Sequence, residues 1–304
     1  MSDVLLQYAF SVSTVLPVPT ADTSMLRKVL LIAKPEDAQP AEIVECNTPA
    51  EIEALTDNTD GQQLLAGGLT RVYVLPSADL DLDTVINESL GDFYTIVISS
   101  DYTTANVEGR DFGLYNGVVA YASDNKAWLK EFRGGKNFGF YSDGNGAKNL
   151  CYAMGKLLSS PRWTNQQYID MPFRDNVTTV GEADSLFDDG ISFVITSEEF
   201  GNRLAFFGNQ EAIVSPYVLK NIEILTQSEA VKFLSLNQPN YSIKQAVLLE
   251  DALNKPIIRF IEQDVITAGQ VTISLIEDDF VADGEIRLTR PRALWRVKAV
   301  LLAE

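Results

Sequence analysis

The chain has 304 residues, of which 46% are hydrophobic and 22% are charged, so we expect one large or two modest folded domains rather than disorder. Its 24 basic and 42 acidic side chains give a net charge of −18, which disfavours a nucleic-acid partner bound through its phosphates. The absence of histidine excludes the Ser-His-Asp triad, the Cys-His pair and histidine-ligated metals.

The cysteines and the hydropathy pattern exclude further classes. Cys46 and Cys151 lie far apart in the sequence and outside any CxxC pair, so we expect two reduced core thiols. The first residues carry Asp3 and no basic segment, so no secretory signal is expected. No apolar run approaches the roughly 20 residues that span a bilayer, and we expect no direct membrane insertion.

The amino-terminal residues alternate between apolar and mostly polar side chains, which predicts a strand with one apolar face. The apolar positions of this strand are Val4, Leu6, Tyr8, Phe10 and Val12. Pro17 and Pro19 follow it and favour a stiff, non-helical joint.

From residue 29 to residue 158, short apolar runs alternate with helix signals. The predicted strands cover residues 29–33, 42–46, 71–75, 93–99, 118–122 and 137–141. Thr48 and Glu51 have the spacing of a capping box, with Pro49 at the first helical position. Further helices are predicted near Asp81, over 124–132 and over 147–158. This order predicts an α/β first half with a largely parallel, mixed sheet and flanking helices.

From about Gly190 the pattern becomes that of an α+β module. Residues 191–196 and 203–207 predict a hairpin, and two helical patterns follow, starting at residues 215 and 243. Pro256 is expected to kink the second helix or to mark a junction. Three strands are predicted to close the chain, over residues 270–276, 285–289 and 293–302. The predicted domains are an amino-terminal arm and linker (1–19), an α/β domain (20–185), an α+β domain (186–290) and a carboxyl-terminal arm (291–304).

The last predicted strand also has one apolar face, and its surroundings are basic. Between residues 286 and 303 there are five basic side chains and no acidic one: Arg287, Arg290, Arg292, Arg296 and Lys298. A basic terminal strand on an acidic chain favours head-to-tail contacts, which propagate into rings or helical filaments. Addition of such a strand to a neighbour's sheet would supply directional hydrogen bonds. The alternative is that both termini are ordinary strands of their own subunit.

The order of these elements resembles the sheath proteins of contractile phage tails and related injection machines, in a small, minimal version. The resemblance rests first on the amino-terminal strand and its proline-bearing linker, which lead to the run Lys28-Val29-Leu30-Leu31-Ile32-Ala33. It rests also on the carboxyl-terminal order of two helices through residues 257–263, a turn at Thr267-Ala268-Gly269, a strand over 271–275 and a last strand over 293–302.

The resemblance implies a structural subunit that polymerises around a tail tube and contracts to drive the tube through the host envelope. In that family the terminal arms are exchanged between subunits and survive contraction. The implied arm residues are Val4, Leu6, Tyr8, Phe10, Val12, Arg290, Arg292, Trp295, Arg296, Val297, Lys298 and Leu301. The implied partners are further copies of the chain, a tail-tube protein, and baseplate and tail-terminator proteins, in a virion assembled in the host cytoplasm.

No motif predicts a catalytic residue, a cofactor or a metal. Residues 134–139 (GGKNFG) and 144–146 (GNG) do not match a phosphate-binding loop and predict a turn and a helix start. Residues 188–190 and 277–279 are interpreted as solvated turns rather than cation sites. Glu198 and Glu199 are neighbours, which on a strand places them on opposite faces and does not make an acid/base pair.

Two aromatic side chains, Trp128 and Trp163, are predicted to lie in the core or at its edge, while Trp295 is expected to anchor the last strand in a pocket. Two other functions stay open. One is a cytosolic α/β enzyme or small-molecule binding domain, with a pocket at the carboxyl ends of the parallel strands. The other is a different tail or baseplate structural protein.

Overall fold

The computed structural model describes residues 6–11, 23–35, 42–56, 58–78, 92–107, 117–132, 137–142, 144–160, 169–175, 177, 179–199, 201–206, 216–237, 243–276 and 279–288. Within these ranges the chain forms two compact units. The first, here called the body, lies within Ser24–Ser215. The second, here called the hairpin module, combines strand β1 (Leu6–Ser11) with residues of Pro216–Pro291. The domain boundaries inferred from the sequence stay predictions.

The body is built on a six-stranded sheet in the order β3-β4-β2-β5-β6-β7. Its strands are β2 (Val29–Ala33), β3 (Val44–Cys46), β4 (Val72–Pro76), β5 (Thr95–Ile98), β6 (Val118–Ser123) and β7 (Phe138–Tyr141). All neighbours pair in parallel except β3, which is antiparallel to β4. Every residue of β2, β5 and β7 is buried, as in a sheet covered on both faces. The predicted α/β class is confirmed.

Six described helices belong to the body: α1 (Pro49–Glu53), α2 (Asp60–Ala66), α3 (Thr104–Val107), α4 (Lys126–Phe132), α5 (Gly146–Ser159) and α6 (Val180–Asp188). The capping box before α1 is confirmed, because Thr48 Oγ1 accepts from the Glu51 N–H at 3.3 Å and Glu51 Oε2 accepts from the Thr48 N–H at 3.2 Å. The helices predicted over 124–132 and 147–158 are confirmed as α4 and α5. The helix predicted near Asp81 lies outside the described residues.

Helices α2 and α5 meet through their backbones. A Cβ at Gly155 would overlap the carbonyl oxygen of Leu64 and would lie 2.9 Å from Gly67 Cα. A Cβ at Gly67 would in turn lie 2.8 Å from Gly155 Cα. Only glycine at positions 67 and 155 therefore lets the backbones of α2 and α5 approach this closely.

A hairpin, β8 (Phe193–Ser197) and β9 (Gly201–Phe206), continues the body beyond β7. Ser192 forms a parallel bridge with Phe140 of β7, so β8 runs in the direction of the parallel strands. Gly201 has a φ of 68°, a left-handed conformation that suits glycine at the turn into β9. The predicted hairpin is confirmed.

The hairpin module consists of two long helices and a three-stranded antiparallel sheet. Helices α7 (Pro216–Asn237) and α8 (Ile243–Glu262) precede strands β10 (Ile266–Ile276) and β11 (Asp279–Leu288). The sheet order is β1-β11-β10. Two of the three predicted closing strands are thus confirmed in longer form, and the third, over 293–302, lies outside the described residues. No described helix combines the length and the hydropathy needed to cross a membrane.

The predicted turn at Thr267-Ala268-Gly269 is wrong, because these residues belong to β10. The chain turns earlier, at Asp264, which adopts a left-handed φ of 56°. There the Val265 N–H donates to the Phe260 carbonyl and the Asp264 N–H to the Ile261 carbonyl, both at 3.0 Å. This is a Schellman motif, which usually places glycine where Asp264 stands.

Of the two alternatives for Pro256, the junction is wrong, and the kink stays a prediction. Helix α8 runs through Pro256 without interruption, and the proline is buried on the same face as Leu253 and Ile257. Its missing N–H is tolerated within the helix, where apolar packing outweighs the lost hydrogen bond.

Candidate assembly surface

The outer edge of β10 is covered by side chains of α8. The Asn254 side chain accepts from the Val271 N–H and donates to the Val271 carbonyl, each at 2.8 Å. One turn earlier on α8, Glu250 Oε2 accepts from the Ile273 N–H at 2.9 Å. These two side chains occupy the backbone groups that an added strand would need, so we call this the capped edge.

The hydrogen-bond pattern of the capped edge fixes the orientation of the other two strands. Val271 lies opposite Gly284, and Gly284 lies opposite Tyr8. Because Val271 directs its backbone groups away from β11, Gly284 directs its own toward β1, and Tyr8 bonds back to it. Alternate residues of β1 therefore point away from β11. They are Gln7, Ala9 and Ser11, and we call this side of β1 the open edge.

Among the described strands, none pairs with the open edge. In this single chain, β1 lies on β11 of its own subunit, in register from Leu6 opposite Ile286 to Ser11 opposite Val281. Of the predicted arm residues, Leu6, Tyr8 and Phe10 belong to this strand. The others, Val4, Val12 and those at positions 290 and above, lie outside the described residues. Exchange of the arms between subunits stays a prediction.

The carboxyl ends of β2 and β5 are the other place where an α/β protein would bind a ligand, because the strand order reverses there. Asp60 is buried, and its Oδ2 accepts from the Ser100 N–H at 2.9 Å and from Ser100 Oγ at 2.5 Å. Burial raises the pKa of Asp60, while the Ser100 hydrogen bonds act in the opposite direction.

The neighbouring carboxylate is engaged in the same way. Asp101 Oδ2 accepts from the Lys34 N–H at 3.2 Å and from Ser99 Oγ at 2.8 Å, and Asn58 donates to it as well. Asp60 and Asp101 therefore tie the loops after β2 and β5 to the start of α2. The hydrogen bonds that these two carboxylates accept thus come from donors of the protein itself.

The other acidic motifs lie at element ends. Asp189 is the C-cap that follows α6, and its Oδ1 lies 2.5 Å from Lys130 Nζ, so it pairs with a lysine. Glu198 and Glu199 are exposed in the turn between β8 and β9. Asp279 begins β11, whereas Glu277 and Asp278 lie outside the described residues. In the part of the chain that the structure describes, no group of three or more metal-ligating side chains is positioned to hold an ion.

Both thiols are buried and free, which confirms the prediction of reduced core cysteines. Burial, with Glu51 and Glu45 nearby, raises the pKa of Cys46 to about 11. Burial raises the pKa of Cys151 well above its ordinary value. Both thiols stay protonated near neutral pH, and neither is a nucleophile.

The glycine-rich run and Trp128 also have structural roles. Ser142 Oγ accepts from the Gly146 N–H at 2.8 Å and from the Gly144 N–H at 3.3 Å, so the amides that would face a phosphate are already bonded at the start of α5. Trp128 is half-buried, stacks on Phe132 at 4.7 Å and meets the edge of Tyr121 at 5.6 Å, as predicted for the core edge. Trp163 and Trp295 lie outside the described residues.

No protein-family model matches the chain, and no curated protein matches it in sequence. The solved structures that match its fold include two from the anti-feeding prophage. One is the helical sheath of the anti-feeding prophage in its contracted state, with a TM-score of 0.60, 13% identity, and coverage of 93% of this chain and 97% of that one. The other is the six-fold symmetrised baseplate of the anti-feeding prophage, with a TM-score of 0.64, 11% identity, and coverage of 92% and 94%.

The chain has a tail sheath-like fold. The resemblance inferred from the sequence is thereby confirmed at the level of the fold, over more than nine-tenths of the chain. Both matched structures are parts of the anti-feeding prophage, one its helical sheath and the other its baseplate. Sequence analysis identified the strand β1 but not its partner β11, nor the capping of β10 by Asn254 and Glu250. No local signal marks those two side chains, because the residues to which they bond lie 17 and 23 positions further along the sequence.

Proposed function

We propose that the protein is a structural subunit of a contractile tail sheath, which polymerises into a helical tube by exchanging its terminal strands. One observation carries the proposal. The only route for strand addition along the described sheet of the hairpin module is on the β1 side of β11, because Asn254 and Glu250 occupy the capped edge. That position holds a six-residue strand from the opposite end of the sequence.

Exchange of β1 between copies needs no new contact. The pairing of Leu6–Ser11 with β11 uses backbone groups, and the same groups are offered by every copy of the chain. Replacing a copy's own strand by the identical strand of a neighbour preserves these hydrogen bonds, which is why exchange of an element between protomers is a low-cost route to assembly.

The open edge of β1 then offers a place for the carboxyl-terminal arm. The backbone groups of Gln7, Ala9 and Ser11 point away from β11 and are suited to a further antiparallel or parallel strand. The predicted strand over 293–302 has the apolar alternation that such a position requires, and its Arg296 and Lys298 are attracted by the acidic remainder of the chain.

In this proposal, strand pairing persists during contraction while contacts between bodies break and form again, so the assembly has two arrangements of the same linked subunits. The partners are further copies of the chain, a tail-tube protein inside the helix, and baseplate and terminator proteins at its ends. The proposed location is the contractile tail of a virion or a related particle. No bond-making chemistry is involved.

The test is electron microscopy of the purified full-length chain at high concentration. Long hollow tubes are expected. Deletion of residues 1–14, or of residues 293–304, is expected to leave a folded monomer, shown by circular dichroism and light scattering, that forms no tubes. Tubes made by either shortened chain would contradict the arm model.

A second candidate is a baseplate component, because the match to the baseplate structure has the higher TM-score, 0.64 against 0.60. The same micrographs separate the two functions. A sheath subunit forms tubes of variable length, whereas a baseplate component forms closed rings with a fixed number of copies.

A further inference from the structure

A concave surface of about 520 Å³ lies at the amino ends of β2 and β4 in the body. Three cationic side chains line it, and we call it the basic pocket: Arg27, Lys28 and Arg71. Its remaining walls include Thr70, Leu158 and Ser159. A basic concavity is unexpected on a chain with a net charge of −18.

The three cationic side chains differ in how strongly they are bound by other groups of the protein. Arg27 donates to the carbonyls of Leu158 at 2.9 Å and Ser160 at 3.0 Å, and so neutralises the carboxyl end of α5. Arg71 Nη1 lies 3.5 Å from Glu45 Oε1, with both side chains exposed, which makes a weak pair that can change partner. Among the described residues, no carboxylate lies within ion-pair distance of Lys28. Lys28 and Arg71 are therefore available to an anionic partner.

The turn between β8 and β9 has the opposite charge. Glu198 and Glu199 are adjacent and exposed there, and we call them the acidic tip. Neither has an ion-pair partner among the described residues. The pairing of Ser197 with Gly201 closes the turn, so both glutamates lie at the end of a hairpin.

The basic pocket and the acidic tip lie at opposite ends of the body. Lys28 and Arg71 immediately precede β2 and β4, so the pocket is at the amino ends of the parallel strands. Strand β8 runs parallel to β7, as the bridge between Ser192 and Phe140 shows, so its last residue and the acidic tip lie at the carboxyl-end side.

Helix α5 runs from the end of the body near the acidic tip to the end that holds the basic pocket. Near its start, Asn145 donates to the Arg174 carbonyl at 3.0 Å, and the next residue, Asp175, donates its N–H to Thr196 of β8 at 3.2 Å. Its last turn supplies Leu158 to the pocket. A helix of 14 residues is about 21 Å long, so the two charged features are separated by roughly that length.

We infer that the acidic tip of one copy docks into the basic pocket of the next copy, with Glu198 and Glu199 facing Lys28 and Arg71. The inference rests on the proposed function, since it supplies a contact between bodies in the polymer. Two different surfaces at opposite ends of one body form a heterologous contact, which propagates instead of closing into a dimer. Ion pairs at such a surface are weak and screened by salt, as suits a contact that must break when subunits rearrange.

Charge reversal tests this pairing in full-length chains. The pocket variant carries Lys28→Glu and Arg71→Glu, and the tip variant carries Glu198→Lys and Glu199→Lys. Each variant alone is expected to form at least tenfold fewer tubes than the unmodified chain, measured by pelleting and electron microscopy. An equimolar mixture of the two is expected to recover tubes, because each tip then meets a pocket of opposite charge. A control with Glu53→Lys and Glu131→Lys changes the net charge as the tip variant does, at exposed sites elsewhere, and should leave tube formation unchanged.

The outcomes separate this inference from the proposed function. If the unmodified chain forms no tubes, the proposed function fails. If the unmodified chain and both reversal variants form tubes equally well, the proposed function stands and the docking inference is overturned. The same holds if inorganic phosphate binds the pocket without affecting tube formation. Lys28→Gln and Glu199→Gln, which only remove charge, should raise the concentration needed for tubes about threefold, and they give the same test if circular dichroism shows that a reversal unfolds the chain.

Discussion

The body and the hairpin module are stabilised in different ways. The body takes its sheet from one continuous stretch of chain, buries its central strands on both faces and packs α2 against α5 through glycine backbones. The hairpin module takes one of its three strands from the far end of the sequence and closes only one edge of its sheet, with Asn254 and Glu250. The body thus completes its sheet from one segment, whereas the module depends on a strand from the far end of the sequence, and this dependence supports the proposed exchange of β1 between copies.

The largest change in the free energy of unfolding is expected where α2 and α5 of the body touch through their backbones. Gly155→Ala places a methyl group against Leu64 and Gly67, so the helices must separate, and we expect a loss of about 3 kcal/mol in the free energy of unfolding. Urea unfolding followed by circular dichroism measures it.

The matched control is Gly181→Ala in α6, where a Cβ meets no atom within 4 Å. This change should raise the free energy of unfolding by roughly 0.5–1 kcal/mol, because alanine favours the helix and restricts the unfolded chain. Equal effects of the two substitutions would contradict the description of the α2–α5 contact.

The second effect is expected at the capped edge of the module. Asn254→Leu removes both hydrogen bonds to Val271 and leaves a backbone N–H without its acceptor, at a cost of about 2 kcal/mol. Hydrogen exchange at the amides of Val271 and Ile273 should become faster. Asn254→Asp, which keeps the acceptor and loses the donor, should have about half the effect. Unchanged exchange in Asn254→Leu would show that this edge is protected by something other than α8.

A smaller effect compares two helix ends of the same geometry, one in each unit. Asp264 after α8 and Gly190 after α6 both have left-handed φ values, 56° and 67°, within Schellman motifs. Asp264→Gly should stabilise the module by roughly 0.5–1 kcal/mol, since glycine adopts this conformation without strain. Gly190→Ala should destabilise the body by a similar amount. Thermal unfolding of both variants measures the two effects. Melting temperatures that shift in the same direction in both variants would contradict this prediction.

The smallest effect concerns pH. Burial raises the pKa of Asp60 in the folded state above its value in the unfolded chain. The protonated carboxyl therefore adds to the free energy of unfolding, and this addition is fully present below the pKa of the unfolded chain, about 3.9. It is lost as the pH rises through the pKa of the folded state. Asp60→Asn lacks this loss, so its free energy of unfolding relative to that of the unmodified chain should increase as the pH rises above about 4. Asp124→Asn, at an exposed carboxylate, is the control; a relative stability of Asp60→Asn that does not change with pH would contradict the account.

Much of the body could be predicted because its signals are local. The apolar run of Val29–Ala33 indicates a strand buried on both faces, and Thr48 with Glu51 indicates the start of α1. The hairpin of β8 and β9 follows from two β-rich runs around a polar turn. In each case the residues that give the signal are the residues that form the element.

The errors and omissions have physical reasons too. The sequence places the turn after α8 at Thr267-Ala268-Gly269, whereas the left-handed residue is Asp264, and the sequence alone does not show that an aspartate adopts this conformation. The capped edge depends on Asn254 and Glu250 reaching across to β10. The basic pocket brings together Lys28 and Arg71, which precede two different strands. Such contacts between distant positions exist only once the fold is formed.

The central claim, that β1 of one copy completes the sheet of another, is tested most directly by a cross-link. Ala9 and Asp283 lie opposite each other in a non-hydrogen-bonded pair, whose Cα spacing of about 4.5 Å suits a disulfide. Chains carrying only Ala9→Cys and chains carrying only Asp283→Cys are mixed, assembled into tubes and oxidised; Cys46 and Cys151 are buried, and the unmodified chain is the control. The account predicts a disulfide-linked pair of chains on a non-reducing gel. If tubes form without this product, while a chain carrying both substitutions closes its disulfide within a single chain, the claim is contradicted.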